Sequence, residues 1–510
     1  MRADGIAEPY RNRITVCYLR QMSTTLSTPR QKHRNTAVST TILLVLCLGL
    51  SPLAAASPPF EEVFTGRALR FDYYHSGIAG EEHISLHRLR LEGSWPGRRS
   101  GLDQSTGFGK YRFEVFEPEG ERRLYSHGFS SIYGEWETTG EARRGFRRSL
   151  HESQRFPEPK MPVELVLSKR QADGTFAEIY RLPIDPQSRF VDRSQIPRRG
   201  ELWPVFEHGD PAEKVDLLVL GDGYTTEELP QYRMDVRHVV DSLFAFEPFS
   251  ERLQDFNVWA IDIASEHSGI SRPRTDFWNR TPLGLSYNAF DLERYMLTFE
   301  NERLREVAAL APYDALILIA NSDKYGGGGI YNLYSTAAAK SGQLPYLIVH
   351  EFGHAFAGLG DEYYTSQVSY EEFNPPGTEP WEPNITALLE AEKLKWKHLV
   401  EESTPVPTPW DQETYDRVSL DFQKKRNELR AGGASEERME EYFAEVKRVT
   451  SKILEAEKHY GVVGAFEGAS YEAQGLYRPA ADCIMFSRNP DHFCPVCSEA
   501  IERVIDSYIK

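Results

Sequence analysis

The sequence predicts an α+β protein: an N-terminal all-β, sandwich-like domain, then a mixed-sheet and helix domain that carries a helical-hairpin insertion. Three observations predict it. Residues 60 to about 200 hold short runs that alternate apolar and polar side chains. From 215 onward, continuous apolar runs of strand length alternate with helical patterns. Two long charged helical patterns meet at Gly432-Gly433. A length of 510 residues suits two or three domains, and 40% hydrophobic with 12% aromatic residues suffices for true cores.

The first 56 residues are different in kind. They carry seven Lys/Arg against two Asp/Glu, so the rest of the chain is more acidic still than the total of −17. Arg30, Lys32 and Arg34 precede the apolar run from Thr41 to Leu50, and Ala54-Ala55-Ala56 follows as a small-residue cleavage signal. This reads as an export signal peptide over residues 1–56, with Met22 as an alternative start, and as too short for a mature anchor. Cys47 follows Leu46 rather than a small residue, which argues against lipidation. The expected location is secreted or periplasmic, with no membrane span after signal cleavage. The acidic balance argues against a general nucleic-acid partner.

The N-terminal β domain is expected over 57–200. Arg67–Tyr74, Tyr111–Phe116 and Val163–Leu167 are its clearest strands, with turns at Pro118–Glu121 and Asp173-Gly174. It holds no cysteine that could block a metal site, and it reads as a structural or docking module. Tyr133 and Trp136 could meet a partner, although packing is the simpler reading. Residues 187 to 212, rich in Pro, Arg and Asp, mark the boundary. A second domain follows over 205–510. Val215–Leu220 is a buried strand, Gly221-Asp222-Gly223 a turn, and Thr225-x-x-Glu228 a capping box before a helix carrying Met234, Val236, Val239, Val240 and Leu243. Further strands are expected at 256–261 and 315–320, with a helix around 291–310 between them. Gly326 to Gly329 form a glycine run that weakens a strand and bares its backbone; such an edge could pair with an extended peptide.

Next comes the segment with chemistry. An apolar run, Tyr346 to Val349, leads into His350-Glu351-x-x-His354, and Gly358 and Gly360 follow as helix stops. On a helix the two imidazoles, four apart, share one face and can hold one Zn²⁺, with Glu351 placed to take a proton from a water on that metal. Asp361 and Glu362 lie just past the stop as oxygen donors. The helical insertion is expected over about 386–460, starting at Asn384-Ile385-Thr386 and standing off the core. Met439, Tyr442, Phe443, Val446, Val449 and Ile453 are its packing stripe. At the end come Cys483, Met485, Cys494 and Cys497, then a helix with Ala500, Ile501, Val504 and Ile505. The three cysteines admit a disulfide from Cys483 to Cys494 or Cys497, the favoured reading in an exported chain, or a second, structural zinc with His492 as a further donor.

His350 to Tyr364, Cys483-Ile484-Met485 and Phe493-Cys494-Pro495-Val496-Cys497 together resemble the bacterial IgA peptidase family of zinc metallopeptidases. Tyr125-Ser126-x-Gly128-Phe129 and Glu135-Trp136 resemble that family's N-terminal domain. The resemblance implies a metzincin-like catalytic domain, His350 and His354 as zinc ligands, Glu351 as catalytic base and a Met turn at Met485. It departs from the broader metzincin pattern, since Ala357 and Gly360 stand where a glycine and the third ligand would be. Asp361, one step later, is similar to the acidic third ligand of the IgA peptidases; Glu362 is the alternative, or a buttress behind the ligands, and Glu467 or Glu499 are remote ones. Tyr477, Tyr363 and Tyr364 are candidate donors to a developing oxyanion.

The expected function is an exported zinc endopeptidase acting on protein or peptide substrates, immunoglobulin-like or other glycoproteins among them. A zinc amidase acting on cell-wall peptides and a non-catalytic surface adhesin on a peptidase scaffold are the alternatives. An intact Glu351 argues against the adhesin.

Overall fold

The alternating N-terminal runs become two four-stranded sheets. In the computed structural model, which describes residues 59–509 apart from 121, 367, 369, 371 and 372, the chain starts with a short helix, α1 (Phe60–Val63). The signal peptide expected over 1–56 lies outside the described residues. The strands are β1 (Phe64–Ile78), β2 (Glu81–Ser94), β3 (Tyr111–Phe116), β4 (Arg123–Phe129), β5 (Arg148–Pro159), β6 (Val163–Arg170), β7 (Phe176–Ile184) and the two-residue β8 (Val191–Asp192). They pair as β5-β1-β2-β8 and β4-β3-β6-β7, antiparallel except for β2 with β8. Leu69, Phe71 and Tyr73 from one sheet pack on Phe113, Val115, Leu165 and Leu167 from the other, a sandwich core.

The opposite face of β1 is not a solvent face. Arg70 and Asp72 are fully buried there. Arg70 pairs with Asp72 at 2.7 Å and with Glu92 at 2.6 Å. Arg155 pairs with Glu92 at 2.9 Å and donates to the Tyr313 carbonyl at 3.1 Å. Asn301 Nδ2 donates to Ser153 Oγ at 2.8 Å. The polar half of the alternation therefore meets the second part of the chain, and its charges are matched because a buried unpaired charge would be costly.

That second part is built on a six-stranded sheet. Its strands are β9 (Glu201–Phe206), β10 (Val215–Asp222), β11 (Phe256–Asp262), β14 (Ala315–Ala320), β15 (Gly327–Ile330) and β16 (Tyr334–Ala338), after a separate short pair β12 (Leu285–Ser286) and β13 (Leu297–Thr298). The order is β15-β16-β14-β10-β11-β9, parallel within and antiparallel at both edges. Leu217 and Val219 of β10 face a core shared with Val236 and Val239 of α4 (Leu229–Leu243), Phe352 of α6 (Leu344–Ala357) and Ile501 of α9 (Pro495–Ile509). Leu218 and Leu220 face the other side, with Leu304 of α5 (Asn301–Ala308) and with Ile132, Tyr133 and Trp136 of α2 (Ile132–Trp136) from the N-terminal part. Burial on both faces explains why β10 reads as an unbroken apolar run. The described residues form one compact unit, with α3 (Gly140–Arg143) adding Ala142 to the shared core.

Several expected elements differ. The capping box at Thr225 and Glu228 is present, but Met234 lies 56% exposed on the outer side of α4. The helix expected around 291–310 shortens to α5, because the chain before it is drawn into β13. No helix begins at Asn384: Thr386 instead exchanges backbone hydrogen bonds with Tyr477 at 3.1 and 2.8 Å. The hairpin is α7 (Gln412–Ala431) and α8 (Glu436–Glu455), capped by Asp411 and Ser435 and turned at Gly433 with φ 72°. It does not stand off the core. Phe443 packs on Tyr325 at 5.9 Å between ring centroids, and Glu440 accepts from Gly342 N–H at 2.9 Å. A last hairpin, β17 (Phe466–Ala469) and β18 (Glu472–Arg478), precedes α9. Among the described residues no helix is long and apolar enough to cross a membrane.

Candidate metal centre and cleft

Helix α6 forms where an apolar run follows Pro345 in its first turn, and it stops where Gly358 takes the left-handed conformation at φ 64°. Leu347, Ile348, Phe352 and Phe356 anchor it in the core, so the histidine face is held rigidly. His350 and His354 meet at 3.2 Å between their Nε2 atoms. Asp361 Oδ1 lies 3.1 Å from one Nε2 and 3.2 Å from the other. The Nδ1 atoms are committed elsewhere: His350 donates to the Ile484 carbonyl at 3.0 Å and His354 to the Leu359 carbonyl at 2.6 Å. A carbonyl only accepts, so each Nδ1 carries its hydrogen and each Nε2 is left to face the common centre.

The carboxylate is fixed from behind. The Tyr471 hydroxyl donates to Asp361 Oδ2 at 2.5 Å, and Ser470 N–H donates to the Asp361 carbonyl at 2.9 Å. Ser470 and Tyr471 hold φ values of 48° and 71° in the turn between β17 and β18, a strained conformation for such residues, and this turn brings the phenol to the carboxylate. Asp361 Oδ1 is buried and, apart from the two imidazoles, meets no hydrogen-bond donor among the described residues. Burial works to raise the Asp361 pKa, but the charge of His354 and the hydrogen bonds of both imidazoles hold it well below the usual carboxylate range. Burial likewise opposes the charged form of His354, yet Asp361 and Glu351 outweigh it and lift it to about 9. Glu351 is pushed up by burial against the pull of the two histidines.

Met485 is fully buried beneath this arrangement. A side chain at Gly353 would come within 3.2 Å of its Sδ, so the glycine lets the helix settle on the methionine. The glycine run serves a similar purpose. A Cβ on Gly329 of β15 would lie 2.2 Å from the Glu351 carbonyl and 2.8 Å from His354 Cβ. These glycines let the edge strand lie directly against α6, and at Gly327 the edge already accepts from Met296 N–H at 3.2 Å. The expected bare edge is therefore partly covered.

His350, Glu351, His354 and Asp361 line a cleft whose far wall comes from the N-terminal part: Lys110, Ser131, Gly134 and Glu135. Glu135 accepts from the Tyr295 hydroxyl at 2.5 Å and the Tyr370 hydroxyl at 3.0 Å. Burial raises its pKa to about 7 against the pull of those two hydrogen bonds. Glu135 had no expected role at the site, and Tyr471 none at all; neither residue type nor spacing marks them, because each reaches the cleft from a distant segment.

A family model described as IgA Peptidase M64 matches residues 204–505, and one described as Peptidase M64 N-terminus matches residues 59–181. The chain belongs to the IgA peptidase M64 family. No curated protein matches it. Members of the family are metallopeptidases, so a set of converging donors at the cleft of this peptidase fits its class.

The remaining residues singled out in the sequence are placed elsewhere in the peptidase. Glu362 turns away from the histidines: it is fully buried, accepts from Asn384 Nδ2 at 2.9 Å and lies 3.3 Å from Cys497 Sγ. The expected disulfide is absent, for Cys483, Cys494 and Cys497 are all free, and Cys483 and Cys497 approach to 3.8 Å between sulfurs. His492 is surface-exposed beside Asp491. Tyr477 lies on β18, with its hydroxyl on Glu467, and is not among the cleft-lining residues. Tyr364 donates to Asp416 at 2.6 Å, whereas Tyr363 lines the cleft beside His350. Glu499 pairs with His398 at 2.8 Å on the surface.

Proposed function

We propose that the chain is a zinc endopeptidase that hydrolyses peptide bonds in protein substrates, with His350, His354 and Asp361 as zinc ligands and Glu351 as general base. The observation that carries this reading is the convergence of two Nε2 atoms and one carboxylate oxygen at 3.1 to 3.2 Å from one another. Ligands at about 2.0–2.1 Å around a tetrahedral ion would stand about 3.3 Å apart, so the donor set fits zinc. The otherwise undonated, buried Asp361 Oδ1 fits the same ion. When bound, zinc supplies Lewis acidity toward a carbonyl oxygen and lowers the pKa of a water to near neutrality.

The chain's own residues then have defined tasks. Glu351, one residue past the first ligand and lining the same cleft, accepts the proton of the attacking water and returns it to the leaving amine nitrogen. Its raised pKa suits both halves of that transfer. Tyr363, whose ring lies parallel to His350 with centroids 6.2 Å apart and which hydrogen-bonds with Arg294, is the proposed donor to the developing oxyanion in place of Tyr477. The free stretch of β15 and the wall at Gly134 and Glu135 would hold an extended peptide between them. Export through the N-terminal signal gives the peptidase access to extracellular proteins, immunoglobulin-like or other glycoproteins among them; N-terminal sequencing of the exported chain tests it.

Cleavage-site profiling with a peptide library, with and without chelator, is the test of the function. Chelator-sensitive cleavage within longer peptides is expected. Turnover of short cell-wall peptides alone would assign the chain to the amidases instead.

A further inference from the structure

Besides the cleft, the chain brings together Glu362, Cys483, Cys494 and Cys497, whose ligand atoms all lie within 4.8 Å of one another. We infer that these four side chains hold a structural zinc ion, which fastens the Cys483–Cys497 segment to the backbone at Asp361-Glu362 beneath the cleft. The inference does not rest on zinc at the histidines.

Three features distinguish a metal site from incidental burial. The separations are those of a tetrahedron: zinc–sulfur bonds of about 2.3 Å place two sulfurs about 3.8 Å apart, and Cys483 and Cys497 stand at 3.8 Å. A disulfide would need about 2.05 Å. With a zinc–oxygen bond of about 2.0 Å the expected sulfur–oxygen separation is about 3.5 Å, against 3.3 Å from Cys497 Sγ to Glu362 Oε1. Second, Glu362 Oε2 is buried with no hydrogen-bond partner among the described residues, although the side chain is wholly out of water. Third, Cys483 Sγ sits where a backbone donor would meet a thiolate. Cys494 N–H donates to Cys483 Sγ at 3.3 Å, and Cys494-x-x-Cys497 spans the start of α9. The buried guanidinium of Arg478 interacts through space with Glu362 and offsets part of the negative charge. The fourth donor is thus a carboxylate from over a hundred residues upstream, not the exposed His492 nearby.

The position of the cluster gives it a task. Cys483 is followed by Ile484, whose carbonyl orients the His350 ring, and by Met485, whose carbonyl accepts from Glu362 N–H at 2.9 Å. An ion on Cys483 and Glu362 would fix the turn under α6 and the backbone that presents Asp361. It is a positioning site, with no open face for substrate.

Metal analysis of the whole chain tests this. Two zinc ions per chain are expected, one of them retained in His350→Ala/His354→Ala. An organomercurial thiol reagent should release that retained ion, and cobalt substitution of the variant should give sulfur-to-cobalt charge-transfer absorption in the near ultraviolet. Cys494→Ser/Cys497→Ser should lose both signals; should it fail to fold, the measurements with native cysteines decide. Alkylation without reductant followed by peptide mapping should find all three cysteines as thiols. A disulfide between any two of them, or zinc that the mercurial does not release together with no charge-transfer band, overturns the inference. If only the thiolate-bound ion is found in the unaltered chain, the proposed catalytic zinc fails and this site stands.

Discussion

Asp361 and Glu362 are adjacent in the chain and belong to opposite kinds of site. Asp361 joins two imidazoles at the floor of a cleft walled by Lys110, Glu135 and tyrosines. Glu362 joins three sulfurs in a sealed pocket at the base of α9. The open cluster offers nitrogen and oxygen donors, faces the cleft and has the Glu351 carboxyl beside it. The closed one is sulfur-rich and buried. The difference teaches what each task demands: hydrolysis needs access to the metal, whereas a staple holds best where water and competing ligands are excluded. One peptide unit ties them.

The strongest way to separate the two clusters is to remove the base alone. Glu351→Ala is expected to lower peptide hydrolysis by about 10²–10⁴-fold while both metal contents stay as in the parent chain, checked by kinetics alongside metal analysis. Wild-type turnover would end the proposed mechanism. Exchanging the adjacent carboxylates comes next. Asp361→Asn should strip the cleft metal and leave the mercurial-releasable one, and Glu362→Gln should do the reverse; identical losses in both variants would mean that the clusters are not distinct. Tyr471→Phe removes one hydrogen bond from behind Asp361 and should weaken cleft-metal affinity by about 10–100-fold in a chelator competition, with the sulfur cluster unaffected.

The smallest effect concerns the cleft wall. Glu135 titrates near 7 in the folded chain against an ordinary value near 4.5, burial being the cause. The folded state therefore holds its proton more tightly than the unfolded state does. Stability from this group is fully present below about pH 4.5 and is lost as pH rises to about 7. Glu135→Gln should flatten that part of the melting-temperature profile. An unchanged slope would place the titration elsewhere.

The part of the site that lies within one helix was legible from residue spacing. His350, Glu351 and His354 are local to α6, and a period of 3.6 residues fixes which of them share a face. The capping box at Thr225 and the hairpin turn at Gly433 were legible for the same reason. Asp361 and Met485, expected through the family resemblance, also lie where it placed them, but other inferences that needed to know the neighbour failed. Tyr477 was singled out and Tyr471 was not, although both lie shortly before Met485; Tyr477 on β18 sets its hydroxyl on Glu467, whereas Tyr471 in the β17–β18 turn donates to Asp361. The glycine run looked like a bare edge; its residues are small because a helix lies against them.

By itself, then, the sequence determined the helix with its two imidazoles and Glu351, the apolar strands of the second part and the alternating strands of the first, all set by short-range periodicity and capping. Only the tertiary structure decided that Asp361 and not Glu362 meets the histidines, that the cysteines gather around Glu362 instead of bridging, and that the polar face of β1 is an internal seam. Each of these depends on segments far apart in the chain being packed to within a hydrogen-bond length, and no local pattern encodes that distance.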